Sequence, residues 1–303
     1  MKKELLMSNA MLIINPSSGK EEAMSYEASA IKVLQELYSS VTIRYTKQAG
    51  DARDLAQQAS EQEFDALISL GGDGTINECI NGLAGQAYQP AFGFLPLGTV
   101  NDFARALQLP LDPAEAVQVL RHQHIVPVDI GRIDQTYFMN VLAIGAIAEA
   151  VYNVSPEQKS MWGPFAYVME GTKAFKNHTP FSLTLTHDEG VWEGDVYLAL
   201  VALTNSVGGI ESLAPQAEIH DGCFHVFIVK QLGITNVAQM IPELLQGNLS
   251  HHQDIEYFTT TTLQAHTNEK HIVNIDGDEG RPLPFSAAVL PHELRMFVPP
   301  DDQ

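Results

Sequence analysis

Apolar positions in this chain follow two rhythms, and the change comes near residue 130. Before it, short unbroken apolar runs at Met11–Ile14, Val41–Tyr45, Leu67–Leu70 and Phe92–Leu95 read as buried strands. Helical stretches separate them: one begins near Lys20, another follows Gly50-Asp51, and a third follows Thr75. In the third, Ile76, Cys79, Ile80 and Leu83 share one helix face. Strand alternating with helix predicts a parallel sheet covered by helices. Beyond Asp129, Phe181-Ser182-Leu183-Thr184-Leu185-Thr186 alternates as a half-buried strand does. Strand-like runs follow at Val196–Thr204, Phe224–Val229, Ile255–Phe258, Thr262–His266 and Ile272–Ile275, with helical stretches near Pro164–Phe175 and Asn236–Leu245. This half predicts an antiparallel sandwich. A chain of 303 residues also has the length of about two domains.

Three polar, glycine-bearing turns each leave the end of a predicted strand. Asn15-Pro16-Ser17-Ser18-Gly19-Lys20 follows the first, and Gly71-Gly72-Asp73-Gly74-Thr75-Ile76-Asn77-Glu78 follows the third. Pro96-Leu97-Gly98-Thr99-Val100-Asn101-Asp102-Phe103-Ala104-Arg105 follows the fourth. In open α/β sheets ligands bind at that edge. Glycines at a strand-to-helix turn let a ligand approach the backbone, and N–H groups opening a helix favour phosphate. An Asp among those donors repels bare phosphate but suits a bridging cation or water. The bland alternative is a tight turn with an Asp cap, since the spacing matches neither a P-loop nor a Rossmann motif. The company of three such turns favours a nucleotide-phosphate site with metal assistance.

The motifs also carry a resemblance. Asn15 to Gly19, Thr46 with Gly50-Asp51-Ala52, Gly71 to Glu78 and Gly98-Thr99-Val100-Asn101-Asp102 recur in order in one family, as do Val128-Asp129-Ile130-Gly131, Asp221-Gly222 and Asn274-Ile275-Asp276-Gly277-Asp278. The chain resembles the diacylglycerol kinase catalytic-domain family. The likeness is to its soluble bacterial lipid kinases, which also resemble sphingosine and ceramide kinases. A looser relation to NAD kinases rests on the Gly-Gly-Asp-Gly-Thr run alone. The resemblance implies an NAD-kinase-like α/β domain at 8–130, joined by a C-terminal strand at about 292–303. It also implies a β-sandwich lipid-substrate domain at 131–291, with the active site in the cleft between the domains. The activity implied is transfer of the γ-phosphate of ATP, with Mg²⁺, to a lipid hydroxyl, diacylglycerol being the leading acceptor.

Phosphoryl transfer needs donor phosphates held still, charge neutralised and an acceptor proton removed. Holding falls to Asn15, Pro16, Ser17, Ser18 and Gly19, to Gly72, Asp73, Gly74 and Thr75, and to Thr99. The resemblance adds Thr46, Asn77 and Glu78 as ATP contacts, although Asn77 and Glu78 equally suit the first turn of a helix. Asp73 is the leading magnesium partner. By resemblance Asp129 joins that metal–water network; by sequence it could equally cap a strand end. A second, structural Mg²⁺ is implied at Glu218, Asp221 and the backbone of Cys223, where Asp221-Gly222 also reads as a β-turn. The acceptor's proton falls to Asp276, Asp278 or Glu279. Relatives carry Asp-Gly-Glu where this chain has Asp276-Gly277-Asp278, and the same run would suit any hairpin tip. Lys20 and Arg105 supply positive charge with Asp102 orienting Arg105, or Asp102 and Arg105 form an exposed helix pair.

Composition narrows the partners. With 37 acidic residues against 17 basic, the net charge is −20, which repels nucleic acid and anionic lipid alike. A lipid kinase of this charge must therefore meet its membrane through a local patch. The segment Lys159–Lys176, with Lys173, Trp162, Phe165, Tyr167 and Phe175, is the candidate, although aromatics at such spacing are more often core. No apolar run reaches the roughly 20 residues that span a bilayer, and no signal peptide is evident. A cytoplasmic protein with peripheral membrane contact is the expectation. Cys79 and Cys223 indicate neither a disulfide framework nor zinc, and the eleven histidines show no metal-ligand spacing. Oligomeric state stays open, a homodimer included. Two other readings are an NAD kinase, and a lipid-binding protein with reduced catalysis.

Overall fold

The computed structural model describes residues 8–19, 22–145, 179–231, 240 and 242–300. Lys20, the segment 159–176 and, within Asn236–Leu245, residues 236–239 and 241 lie outside them. Two compact units divide the chain: Met1–Val128 with His292–Gln303, and Asp129–Pro291.

In the first unit, strand and helix alternate. The strands are β1 (Asn9–Ile14), β2 (Ser40–Tyr45), β3 (Ala66–Gly71) and β4 (Ala91–Pro96). The helices are α1 (Ala23–Leu37), α2 (Asp51–Glu61), α3 (Asp73–Leu83), α4 (Asp102–Ala106) and α5 (Pro113–Val119). The strands pair in parallel in the order β2-β1-β3-β4. Every residue of β3 and β4 is buried, as expected of parallel strands covered on both faces, and this is why their sequences are unbroken apolar runs. Ala30, Val33 and Leu34 of α1 share a core with Leu12, Ile68 and Leu95. The chain runs from β1 outward to β2, then returns past β1 to β3. The order therefore reverses between β1 and β3, and the loops leaving those two strands open at a topological switch point.

The second unit is antiparallel. Its strands are β5 (Ile125–Ile133), which enters from the first unit, β6 (Thr136–Phe138), β7 (Val141–Gly145), β8 (Phe181–His187), β9 (Gly190–Val196) and β10 (Leu198–Ala202). The chain continues with β11 (Phe224–Val229), β12 (Ile255–Thr260), β13 (Thr262–His266), β14 (Ile272–Ile275), β15 (Asp278–Pro282) and β16 (Phe285–Phe297). One sheet runs β12-β11-β10-β7-β14-β15. Leu142, Val201, Val226 and Val273 from that sheet share a core with Leu183, Leu185, Leu263 and Ala287 from β8, β13 and β16. Burying each such Leu or Val is worth roughly 1.5–3 kcal/mol, and the alternation in β8 and β13 turns one face of their sheet to this core.

The C-terminal strand, expected at about 292–303, begins earlier. β16 has 13 residues, pairs antiparallel with β13 through Ala288, and places Met296 in parallel register with Phe92 of β4. Pro291 and His292, the latter at φ 56°, mark the passage from one unit to the other. β9 and β15 escape a pattern reading because they are edge strands with few buried residues.

Candidate active site

At the end of β3 the chain turns through Gly72, in extended conformation, and α3 starts at Asp73. The first N–H groups of any helix have no partner within it, so this turn presents donors at the switch point. The neighbouring loop is tied to it. The Asn15 side-chain amide donates to the Thr75 hydroxyl at 2.9 Å, and the Gly72 N–H donates to Ser18 Oγ at 3.3 Å. Asn15 Oδ1 also accepts from the Ser17 N–H and hydroxyl. Asn15 is thus a hub that shapes its own loop and grips the first turn of α3.

The third turn closes on the same helix start. Asn101, buried and left-handed at φ 57°, accepts from the Gly98 N–H at 2.8 Å, and its Nδ2 donates to the Gly98 carbonyl. Its own N–H donates to Asp73 Oδ2 at 3.3 Å. A Cβ on Gly98 would lie 2.6 Å from Asp73 Oδ2 and from Asn101 Oδ1, so the approach of the two loops requires glycine there. Arg105 donates through Nε to the carbonyl of Val100 at 3.1 Å, which braces the turn. Asp102 opens α4, where its charge complements the helix dipole. Thr99 is exposed.

The segments that follow β1, β2 and β3 border a cavity of about 620 Å³. Asn15, Pro16, Ser17, Ser18, Thr46, Gly72, Gly74, Thr75 and Glu78 line it, together with Lys47, Gln48, Ala49 and Ala52. Gly19, Asp73, Asn77 and Thr99 are not among its lining residues. A Cβ built on Gly74 would meet nothing within 4 Å, so the protein's own packing does not ask for glycine at that point of the wall. Lys47 was missed from sequence. Its signal was its place beside Thr46, in the loop after β2.

Two residues anticipated as ATP contacts also make bonds that hold the fold. Glu78 spends its carboxylate on the N–H groups of Gly50, at 2.9 Å, and Ala52, at 3.2 Å, and so caps α2. Asn77 accepts from the Asn81 side chain one turn along α3.

In the second unit, Asp276 is tied closely into the fold. Its carboxylate accepts from the N–H groups of Met139, Asn140 and Val141 at 2.8, 2.8 and 2.9 Å. Its N–H returns a bond to the Val141 carbonyl. Asp276 and Gly277 have φ of 51° and 98°, the pattern of a type I′ hairpin, and Asn274 accepts from the Gly277 N–H. A carboxylate that accepts from three amides builds the turn. Asp278 and Glu279 are exposed, and they lie on opposite faces of β15.

Asp129, buried, donates its N–H to the Ile219 carbonyl at 2.8 Å and accepts from the Gly222 N–H at 2.7 Å. It clamps the turn that carries Asp221. Asp221 accepts from the N–H groups of Glu218 and Cys223 and lies 2.9 Å from His225 Nε2. Burial alone would raise its carboxyl; the His225 contact and those two amides outweigh it and hold the group below the usual range. Burial, then the charges of Asp221 and Asp129, push the Cys223 thiol up to about 12. The Glu218 carboxylate is largely exposed and 4.0 Å from His220; what Glu218 gives the turn is its backbone N–H. His225, absent from the sequence reading, lies in β11, and the turn before that strand brings Asp221 and Cys223 beside it.

Comparison with known proteins agrees with this architecture. Residues 9–133 match the diacylglycerol kinase catalytic domain, and residues 141–298 match the YegS C-terminal NAD kinase beta sandwich-like domain. The chain is 34% identical to a diacylglycerol kinase of Bacillus subtilis strain 168, over 97% of both chains. It is 33% identical to a diacylglycerol kinase of Staphylococcus epidermidis, over 98% of this chain and 94% of the relative. A crystal structure of a diacylglycerol kinase from Bacillus anthracis strain Sterne superposes with a TM-score of 0.77 at 25% identity, covering 97% of each chain. Among the described residues no helix is long and apolar enough to cross a membrane. The chain belongs to the diacylglycerol kinase family, lipid kinases that use ATP to phosphorylate a hydroxyl.

Proposed function

We propose that this enzyme transfers the γ-phosphate of ATP to the free hydroxyl of diacylglycerol, giving phosphatidic acid and ADP. The observation that carries the donor half is the set of loops from β1, β2 and β3 around one cavity at the switch point, with Gly74 opening into space. Backbone N–H groups at the start of α3 hold phosphate oxygens, Asn15 and Thr75 fix that turn, and Lys47 adds positive charge at the wall. The acceptor half rests on the family's name and on the relatives.

Magnesium takes oxygen ligands and keeps several waters. The turn fits that demand in its donor type, because the Asp73 carboxylate stands at the helix start, with Oδ2 accepting from the Asn101 N–H. Asp73 would hold the ion, which when bound supplies neutralisation of the triphosphate charge. In this reading Asp129 acts by holding the Ile219–Gly222 turn. Asp102 and Arg105 support the Gly98 turn from α4.

As the acceptor oxygen bonds to the γ-phosphorus and the bond to the bridging oxygen of ADP breaks, the hydroxyl proton passes to a carboxylate. Asp278 takes it, with Glu279 the neighbouring candidate, since Asp276 is spent on amides. Incubation with labelled ATP and magnesium, against mixed-micelle diacylglycerol, ceramide, sphingosine and NAD, tests the proposal. A labelled product with the mass of phosphatidic acid is expected. Phosphorylation of NAD without detergent, or label in another lipid only, overturns it.

A further inference from the structure

Asp221, Cys223 and His225 bring three different ligand atoms into one corner of the second unit. Cys223 Sγ lies 3.4 Å from Asp221 Oδ1 and 3.8 Å from His225 Nε2, which is itself 2.9 Å from Asp221 Oδ2. Ligands of a tetrahedral zinc ion, with bonds of roughly 2.0–2.3 Å, sit about 3–4 Å apart. The donor atoms already stand near that spacing.

The imidazole is also held as a ligand needs to be. His225 is 3% exposed, and its far nitrogen, Nδ1, lies 2.8 Å from the Tyr257 hydroxyl. Binding through Nε2 requires a neutral ring with its proton on Nδ1, where Tyr257 Oη can accept it. Such outer partners fix the orientation of metal-bound histidines. The ring stacks over Tyr257 at a centroid distance of 6.1 Å, which limits its rotation further.

From these contacts we infer that Asp221, Cys223 and His225 form a site for a borderline divalent metal such as Zn²⁺ or Co²⁺, with a fourth position for water. On binding, the Cys223 thiol gives its proton to solvent and its sulfur bonds the metal; no redox change is involved. Thiolate and imidazole favour zinc and cobalt, whereas Mg²⁺ demands oxygen. The corner shares Asp221 with the oxygen set of Glu218, Asp221 and the Cys223 carbonyl but differs from it in its thiol and imidazole, and it does not depend on which lipid is the acceptor.

Titration of the whole protein with Co²⁺ provides the test. The expected result is a thiolate-to-cobalt charge-transfer band with the visible bands of a tetrahedral complex, at one ion per chain, persisting in millimolar Mg²⁺. Zn²⁺ should displace the cobalt and protect Cys223 from a thiol reagent, against which Cys79, fully buried, is silent. Cys223→Ser should remove the charge-transfer band, and Tyr257→Phe should weaken cobalt binding about tenfold or more. Octahedral, oxygen-only cobalt spectra in the unaltered protein, displacement by Mg²⁺, or an unchanged band in Cys223→Ser would overturn the assignment.

Discussion

Glu78 accepts from the Gly50 N–H at 2.9 Å, a bond across 28 residues that joins α3 to the start of α2. With the second bond to Ala52 it fixes the loop carrying Thr46, Lys47 and Gln48, which forms one wall of the cavity. Glu78→Ala should leave two helix-start amides without their acceptor and cost about 1–3 kcal/mol. Glu78→Gln should recover part of that stability while still raising KM for ATP more than it lowers kcat. Thermal unfolding and ATP-dependence of the rate separate the two effects. Equal losses in kcat and kcat/KM would show that Glu78 meets the transition state directly.

Gly74 and Gly98 should respond in opposite ways to alanine. At Gly74 the added methyl meets no protein atom, and alanine in a helix is favoured by about 0.5–1 kcal/mol, so Gly74→Ala should keep or raise the melting temperature. It should nonetheless weaken ATP binding at least about tenfold, because the methyl enters the space assigned to phosphate. Gly98→Ala should lower stability outright, since its Cβ meets Asp73 and Asn101. Calorimetry of unfolding and of ATP binding on both variants checks the contrast.

The hairpin acids should divide by role. Asp276→Asn removes a carboxylate that three N–H groups share and should cost about 1–3 kcal/mol. Asp278→Asn should leave unfolding unchanged, since the side chain is exposed, yet lower kcat by about 10²–10⁴-fold as befits a lost general base. If kcat survives in Asp278→Asn and falls in Glu279→Gln, the proton goes to Glu279.

Acid should reach the second unit through Asp188. Hydrogen bonds from the Thr262 hydroxyl, then the Thr261 N–H and hydroxyl, hold its carboxyl well below the usual range. A folded-state value depressed below the unfolded one, about 3.9, stabilises at all pH above that and loses its effect as pH falls further. The group is exposed, so screening leaves only about 1 kcal/mol. Acid unfolding of Asp188→Asn should therefore be less steep below pH 4, with a small loss of stability at pH 7.

Much of the architecture is legible in the order of residues alone. The unbroken apolar runs of β1, β3 and β4 mark strands covered on both faces, and the alternation in β8 marks a face turned to solvent, because side-chain direction follows backbone period. Asp276-Gly277 likewise announces a hairpin, since few other pairs take positive φ twice. What individual carboxylates do is a different matter. That Glu78 reaches back to the start of α2, and that Asp276 meets the amides of residues 139–141, is visible only once distant segments are folded together. Asp221, Cys223 and His225 show no recognised metal spacing, yet the turn leading into β11 brings their ligand atoms together. The chain thus determined its elements and the edge at which a ligand would sit, because those depend on local period and turn chemistry. Which polar groups serve the fold and which are left for chemistry was decided only in three dimensions, because a hydrogen bond is settled by distance and angle between segments far apart in sequence.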